Sequence, residues 1–215
     1  FGWAPVDAEG NMDRSSTNVD ENIGQLAVDN NFQADFSTGD VTHTLLLGLD
    51  HQRTDTSYLS IYGQAGRVNI FNPVNTTPVE RPARSGAFYD YNQKTVQTGL
   101  YVQDQMALDN WRLTLGGRED WVHQGTTYLN KNDATNTDRS KNFSGNAALS
   151  YVFDSGFVPY ISYAESFQPA SNASASPTES YKPTEGKQWE LGIKYQPPGS
   201  NTLLSAALYD LTQKN

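Results

Sequence analysis

Three histidines, one run of small acids and amides, and a set of aromatic residues are the side chains in this sequence whose types invite chemistry. His43 and His51 share a run but stand eight residues apart, and His123 is distant from both. That spacing is too wide for a shared metal, so all three read as surface or interface histidines. Asn130-Lys131-Asn132-Asp133-Ala134-Thr135-Asn136-Thr137-Asp138 is dense in oxygen donors. It lacks the central glycine and closing bidentate glutamate of a calcium loop and reads as a solvated loop. Cysteine is absent, which removes thiolate chemistry and any disulfide framework. No glycine-rich phosphate loop or serine elbow is present. The sequence therefore predicts no catalytic residue, no metal ligand and no cofactor. The charges of Arg118, Glu119 and Asp120 suit ion pairs. What remains are aromatics in loops and at the ends of regular runs: Trp3, Tyr58, Tyr62, Phe71, Phe88, Tyr89 and Tyr91. Rings that carry a hydroxyl or indole N–H suit a membrane-interface girdle or a sugar-binding surface.

Alternating runs must position these rings. In Gln188-Trp189-Glu190-Leu191-Gly192-Ile193-Lys194-Tyr195, Trp189, Leu191, Ile193 and Tyr195 point one way and the intervening residues the other. A period of two marks a strand with one face in an apolar medium and one in water. The pattern predicts eight strands, at about Asn22–Ser37, Val41–Tyr62, Thr95–Leu108, Trp111–Tyr128, Asn142–Phe153, Phe157–Phe167, Thr184–Gln196 and Asn201–Thr212, with 1–18 irregular. Short turns fall after the first, third, fifth and seventh strands. Longer loops, Gly63–Gln93, Asn130–Ser140 and 170–183, fall after the second, fourth and sixth. Short turns on one rim and long loops on the other are the outer-membrane barrel pattern.

The 215 residues are 36% hydrophobic with a mean hydropathy of -0.64. No stretch approaches the roughly 20 apolar residues of a spanning helix, but a barrel escapes that test because only alternate residues face lipid. A net charge of -9 and a pI near 4.7 disfavour nucleic acid as a partner. The chain opens Phe1-Gly2-Trp3 and closes just after an apolar strand, and it reads as an excerpt of a longer protein. Alternation with Gly/Pro turns also describes soluble sandwiches and propellers. Loop asymmetry and strand length favour the membrane barrel. A passive porin and a soluble all-β carbohydrate-binding domain stand as the alternatives.

Six strings then resemble TonB-dependent siderophore receptors, most closely those for ferric hydroxamates of the ferrichrome and ferrioxamine type. They are His43-Thr44-Leu45-Leu46-Leu47-Gly48-Leu49-Asp50, Phe71-Asn72-Pro73-Val74-Asn75, Gln97-Thr98-Gly99-Leu100-Tyr101-Val102-Gln103-Asp104-Gln105, Leu113-Thr114-Leu115-Gly116-Gly117-Arg118, Pro159-Tyr160-Ile161-Ser162-Tyr163-Ala164-Glu165-Ser166-Phe167 and Gly186-Lys187-Gln188-Trp189-Glu190-Leu191-Gly192-Ile193-Lys194-Tyr195. The resemblance implies an all-β, antiparallel up-and-down transmembrane barrel of 22 strands. Residues 1–215 would supply about eight of these, without the plug domain and closing strands. It implies a bacterial outer-membrane location and no enzymatic activity. The expected partners are a ferric siderophore, outer-membrane lipid and lipopolysaccharide, and the TonB complex acting through the plug. Iron would arrive as cargo within its chelate, so no protein ligand to it is expected. The resemblance places a ligand-contacting aromatic at Tyr62. Trp3, Tyr58, Phe71 and Tyr89 are further candidates, since rings can bury the chelate's apolar flank while phenols hydrogen-bond its carbonyl oxygens. Arg112 and Arg118, at membrane depth, must face the lumen.

Overall fold

A computed structural model describes residues 5–74, 78–170, 176–179 and 181–214. Eight strands follow one another: Asn11–Thr38 (β1), Val41–Asn69 (β2), Ala87–Leu108 (β3), Trp111–Tyr128 (β4), Ala134–Tyr151 (β5), Phe157–Gln168 (β6), Thr184–Tyr195 (β7) and Leu204–Lys214 (β8). Each pairs antiparallel with its neighbour in sequence, so spatial order equals chain order within one sheet. Among the described residues no helix is long and apolar enough to cross a membrane.

The turns follow from local chemistry. Thr38 pairs with Val41, leaving Gly39-Asp40 as the loop, and Gly39 takes φ 63, where a side chain would be strained. Asp109 takes φ 47 in the Asp109-Asn110 turn, and Arg112 donates to the Asp109 carbonyl at 2.6 Å. Arg112 thus caps this rim rather than reaching into the lumen.

Register then builds two unlike faces. One row of paired positions runs Phe36, His43, Met106, Leu113, Leu149, Ile161, Leu191 and Leu208, one residue from every strand. In a sandwich these side chains would be covered by a second sheet. Here no second layer exists among the described residues, and Phe143, Trp189 and Leu191 remain 62%, 56% and 60% exposed. Aromatics bracket the band. Trp111, Tyr151, Phe153, Phe157 and Tyr195 contact one another in two groups near the short-turn rim. Trp121, Phe143 and Trp189 stand at the other edge. At about 3.4 Å per residue, Trp111 to Trp121 is about 34 Å along β4, or about 26 Å along the normal for a tilt of about 40°. That matches the height of a lipid-facing band.

The two histidines of β2 on this outer face are hydrogen-bonded, as burial in lipid demands. His43 Nδ1 lies 2.8 Å from Asp104, its Nε2 lies 2.7 Å from Thr38, and its ring stacks on Phe36 at 4.7 Å. His51 Nδ1 is 3.0 Å from Thr98. Each histidine ties β2 to a neighbouring strand.

The opposite face is polar. Arg118 clasps Asp50 (3.1 Å) and Asp120 (2.7 Å), Gln97 donates to Asp120, and Tyr101 donates to Asp29. Two glycines let the long side chains lie flat across the neighbouring strand. A Cβ at Gly99 would collide with the Arg118 guanidinium, and one at Gly48 would collide with the Tyr101 ring. Glu190 and Lys194 fall on this face as expected, both against Tyr160. Glu119 does not join Arg118 and Asp120. It faces outward and pairs with Lys141 at 3.0 Å.

Four strand boundaries move outward by seven residues or more from the pattern in the sequence. β1 starts at Asn11 rather than Asn22, β2 ends at Asn69 rather than Tyr62, β3 starts at Ala87 rather than Thr95, and β5 starts at Ala134 rather than Asn142. Each extension lies beyond the upper girdle, where both faces of a strand meet water. Alternation disappears there, but the ladder hydrogen bonds continue. The loop expected over Gly63–Gln93 shrinks to 70–86, and that over Asn130–Ser140 to 129–133. Much of the height beyond the girdle is therefore strand rather than loop. The stretch that resembled a calcium loop is a turn, with Asn132 and Asp133 both at φ 54, running into β5.

Candidate functional site

The polar face ends, on the long-loop side, in a continuous group of rings. Tyr58 on β2 stacks on Tyr91 of β3, with centroids 5.3 Å apart and planes at 21°. Tyr89 meets both edge-on at 6.2 and 6.4 Å. Phe88 abuts Tyr89 at 4.7 Å and Tyr62 at 5.7 Å. Tyr128 on β4 closes the row against Tyr91 at 6.4 Å.

The local reason is a bulge. Ser60 pairs with Tyr89 but Ile61 pairs with Ala87, so Phe88 is an extra residue opposite one peptide step. A bulge re-aims side chains, and this one turns Phe88 into the gap between Tyr62 and Tyr89. Beneath the rings Gln93 donates to Thr126 at 3.1 Å, both side chains being buried. Among the described residues no charged side chain belongs to the ring group itself.

The β2–β3 connection leaves this face open because it packs on the other one. Pro82 lies against Gly63, Arg81 pairs with Asp20, and Arg84 grips Asp90 with two hydrogen bonds of 2.6 and 2.7 Å. Asp20 pairs with Leu59, whose side chain points away from those of Tyr58 and Ser60.

Of the residues proposed from sequence, Tyr58, Tyr62 and Tyr89 come together, with Phe88 and Tyr91. Phe71 does not join them. It sits past the end of β2, covers Gly10 at the tip of the β1–β2 ribbon, and is 79% exposed. Asn69 is already about 23 Å beyond Tyr62 at about 3.3 Å per residue. Trp3 lies outside the described residues. Tyr128 was missed, although its place at the end of the alternation in β4 could have found it.

Burial pushes the Tyr89 and Tyr128 phenols above their ordinary value of 10.0, and nearby phenols add to the shift. A raised folded-state value favours the neutral phenol. The stability it contributes is full below the ordinary value and is lost as pH rises through the folded one. The ring group is therefore expected to stay intact up to about pH 10 and to weaken progressively above it. A tyrosinate absorbance titration of the folded protein is expected to show late-ionising phenols, and Tyr89→Phe and Tyr128→Phe each to remove one. Titration of every tyrosine in a single step near the ordinary value would contradict this.

Comparison with known proteins gives the family context. The family model for "TonB dependent receptor-like, beta-barrel" matches residues 2–215. A ferrichrome outer membrane transporter/phage receptor of Escherichia coli K12 is 38% identical over 99% of this chain, which covers 29% of that protein. A ferrioxamine B receptor of Salmonella typhimurium LT2 is 38% identical over 100% of this chain and 29% of its own length. The chain thus spans under a third of these relatives. In shape it resembles Pseudomonas aeruginosa FpvA solved with a bound heterologous pyoverdine (TM-score 0.75, 19% identity, 97% of this chain and 28% of that one). It also resembles the ferric-catecholate import receptor Fiu of E. coli K12 in its closed form (TM-score 0.72, 21% identity, 90% and 31%). At these identities the likeness to solved structures speaks for the fold alone.

Proposed function

Because the chain belongs to the family of TonB-dependent receptor β-barrels, we propose that it forms the wall of a receptor that captures ferric hydroxamate siderophores for TonB-driven uptake. The family is one of outer-membrane receptors rather than enzymes, and the eight strands are part of an outer-membrane barrel. The observation that carries the ligand reading is the uncharged ring group on the lumen face, beyond the upper girdle. A ferric trihydroxamate is bulky and has apolar flanks and polar carbonyl oxygens. Rings cover the flanks, and phenol and amide donors meet the oxygens. The site supplies no iron ligand, because the chelate brings its own oxygens.

Two further partners belong to the same reading. The plug of the intact receptor would meet the polar face around Arg118, Asp50 and Asp120 and would link it to TonB. Lys94, Arg139, Lys141 and Lys187 stand on the outer face at or beyond the upper girdle, with Lys141 over the Trp121 ring at 5.8 Å. Their charge suits the phosphates of lipopolysaccharide.

The test is growth. Iron-starved cells lacking their own receptors, given the intact protein, are expected to grow on ferrichrome- or ferrioxamine-type iron sources and not on ferric catecholates. Failure on every ferric hydroxamate of a broad panel would sink the proposal.

A further inference from the structure

β6 pairs with β5 only between Ala164–Tyr160 and Asn146–Ser150. Above that short ladder the edge of β5 facing β6 continues to Ala134 without a strand partner on that side among the described residues. The described residues 176–179 of the β6–β7 connection come up to this edge. Glu179 accepts a hydrogen bond at its carbonyl from Asn136 Nδ2 of β5, at 3.1 Å. Ser176 and Thr178 form a compact turn just before it, with their hydroxyls 2.8 Å apart.

Asn136 is not a neutral anchor point. It pairs with Thr126, whose hydroxyl takes the Gln93 hydrogen bond beneath the rings, and Tyr128 lies on the same face of β4. The connection is therefore fastened directly beside the ring group, and Tyr181 follows two residues after the fastened carbonyl. Two residues of chain span at most about 7 Å, so Tyr181 stays beside that anchor, and its phenol contributes to the upward shifts of both Tyr89 and Tyr128. Yet Tyr181 is 53% exposed, whereas Tyr91 and Tyr128 are 6% and 3% exposed. The inner rings are occupied with one another. Tyr181 stands at the margin, open to solvent.

We propose that Tyr181 is a further ligand-contacting side chain of the aromatic site, held over it by the Asn136–Glu179 hydrogen bond. The inference rests on the reading of the ring group as the siderophore site. It adds a wall contributed by a different part of the chain from Tyr58 and Tyr62. A side chain reaching in from a connection, rather than from the sheet, bears mainly on how long the chelate stays.

The experiment measures binding and release of a ferric trihydroxamate by the intact receptor in outer-membrane preparations, with receptor amount determined for each variant. Tyr181→Ala is expected to weaken binding about tenfold, mainly through faster release. Tyr181→Phe is expected to restore most of the loss, because the ring does the covering. Asn136→Ala is expected to cause a comparable loss, and the double variant to be little worse than either single one, since both act through one side chain. Wild-type release from Tyr181→Ala would overturn the inference, as would strictly additive losses. Tyr58→Ala, measured alongside, separates the two readings. If it weakens binding while Tyr181→Ala does not, the ring site stands and Tyr181 is outside it. If neither weakens binding, the ring site itself is wrong.

Discussion

Replacing Tyr58 and Tyr91 together by alanine is expected to weaken ferric-hydroxamate binding by about a hundredfold, on the scale of removing two aromatic rings from one binding surface. The two rings are stacked at 5.3 Å, and every other ring of the group leans on one of them directly or through Tyr89 or Phe88. Removing both therefore takes away the centre of the surface rather than its edge. The size of the effect decides between two roles. If the rings were merely an interface belt, their loss would lower barrel stability and leave the affinity of correctly inserted receptor unchanged. If they are the binding surface, affinity falls while the inserted amount changes less. Tyr58→Phe and Tyr91→Phe refine the outcome. Each keeps its ring and loses its hydroxyl, so the phenylalanine pair is expected to fall between wild type and the alanine pair. Equilibrium binding of the chelate to intact receptor is the measurement, and unchanged affinity in the alanine pair would remove these rings from the site.

That prediction draws on a site only half legible in the sequence, and the reason lies in what alternation reports. Between the girdles one face meets an apolar medium, so Leu113, Leu115 and Trp121 announce both strand and register. Beyond Trp121 both faces meet water, and the same backbone ladder continues through His123, Gly125 and Thr127 without any apolar signal. The rings that matter lie in that silent zone. Tyr58 and Tyr62 are legible because the alternation of β2 points toward them. Tyr89 and Tyr91 fall inside the loop expected from composition and prove to be strand residues facing the same way. Phe71 falls in that same expected loop, whereas β2 carries on to Asn69 and takes Phe71 away from the site. Tyr128 and Tyr181 escape notice for opposite reasons, one ending a strand read for its apolar face, the other sitting in a connection with no periodicity. The bulge at Phe88 has no sequence signature at all, because a bulge is a property of two paired strands rather than of either one.

The two faces also carry different tolerances. The outer one is held by a medium, so any apolar residue of moderate size serves and any lone charge is costly. The inner one is held by specific partners. Gly99 must stay bare for Arg118 to lie across it, and Arg118 must stay in place to keep Asp50 and Asp120 from facing each other unpaired. Sequence alternation reveals the first kind of constraint readily. The second becomes visible only once register sets the neighbours.

Leu115→Arg and Thr114→Arg separate these constraints at one depth. The two positions are adjacent on β4, within the band bounded by Trp111 and Trp121, and point to opposite faces. Leu115 lies on the outer face between Asp104 and Ala147, and Thr114 on the inner face between Gln105 and Ala148. Arginine at position 115 is expected to cost about 2–4 kcal/mol in lipid, the scale for a cation near the bilayer midplane. Arginine at position 114 is expected to cost less than about 1 kcal/mol, because the guanidinium meets polar side chains and water in the lumen. Unfolding of the intact barrel from lipid vesicles in urea measures both, and the amount of receptor in the outer membrane gives the same order in cells. A sheet whose apolar face met water would show the reverse for Leu115, because exchanging an exposed leucine for arginine is then neutral or favourable. Equal, small effects at the two positions would therefore remove lipid from the outer face, and with it the reason for the row, apolar but for His43, that runs through all eight strands.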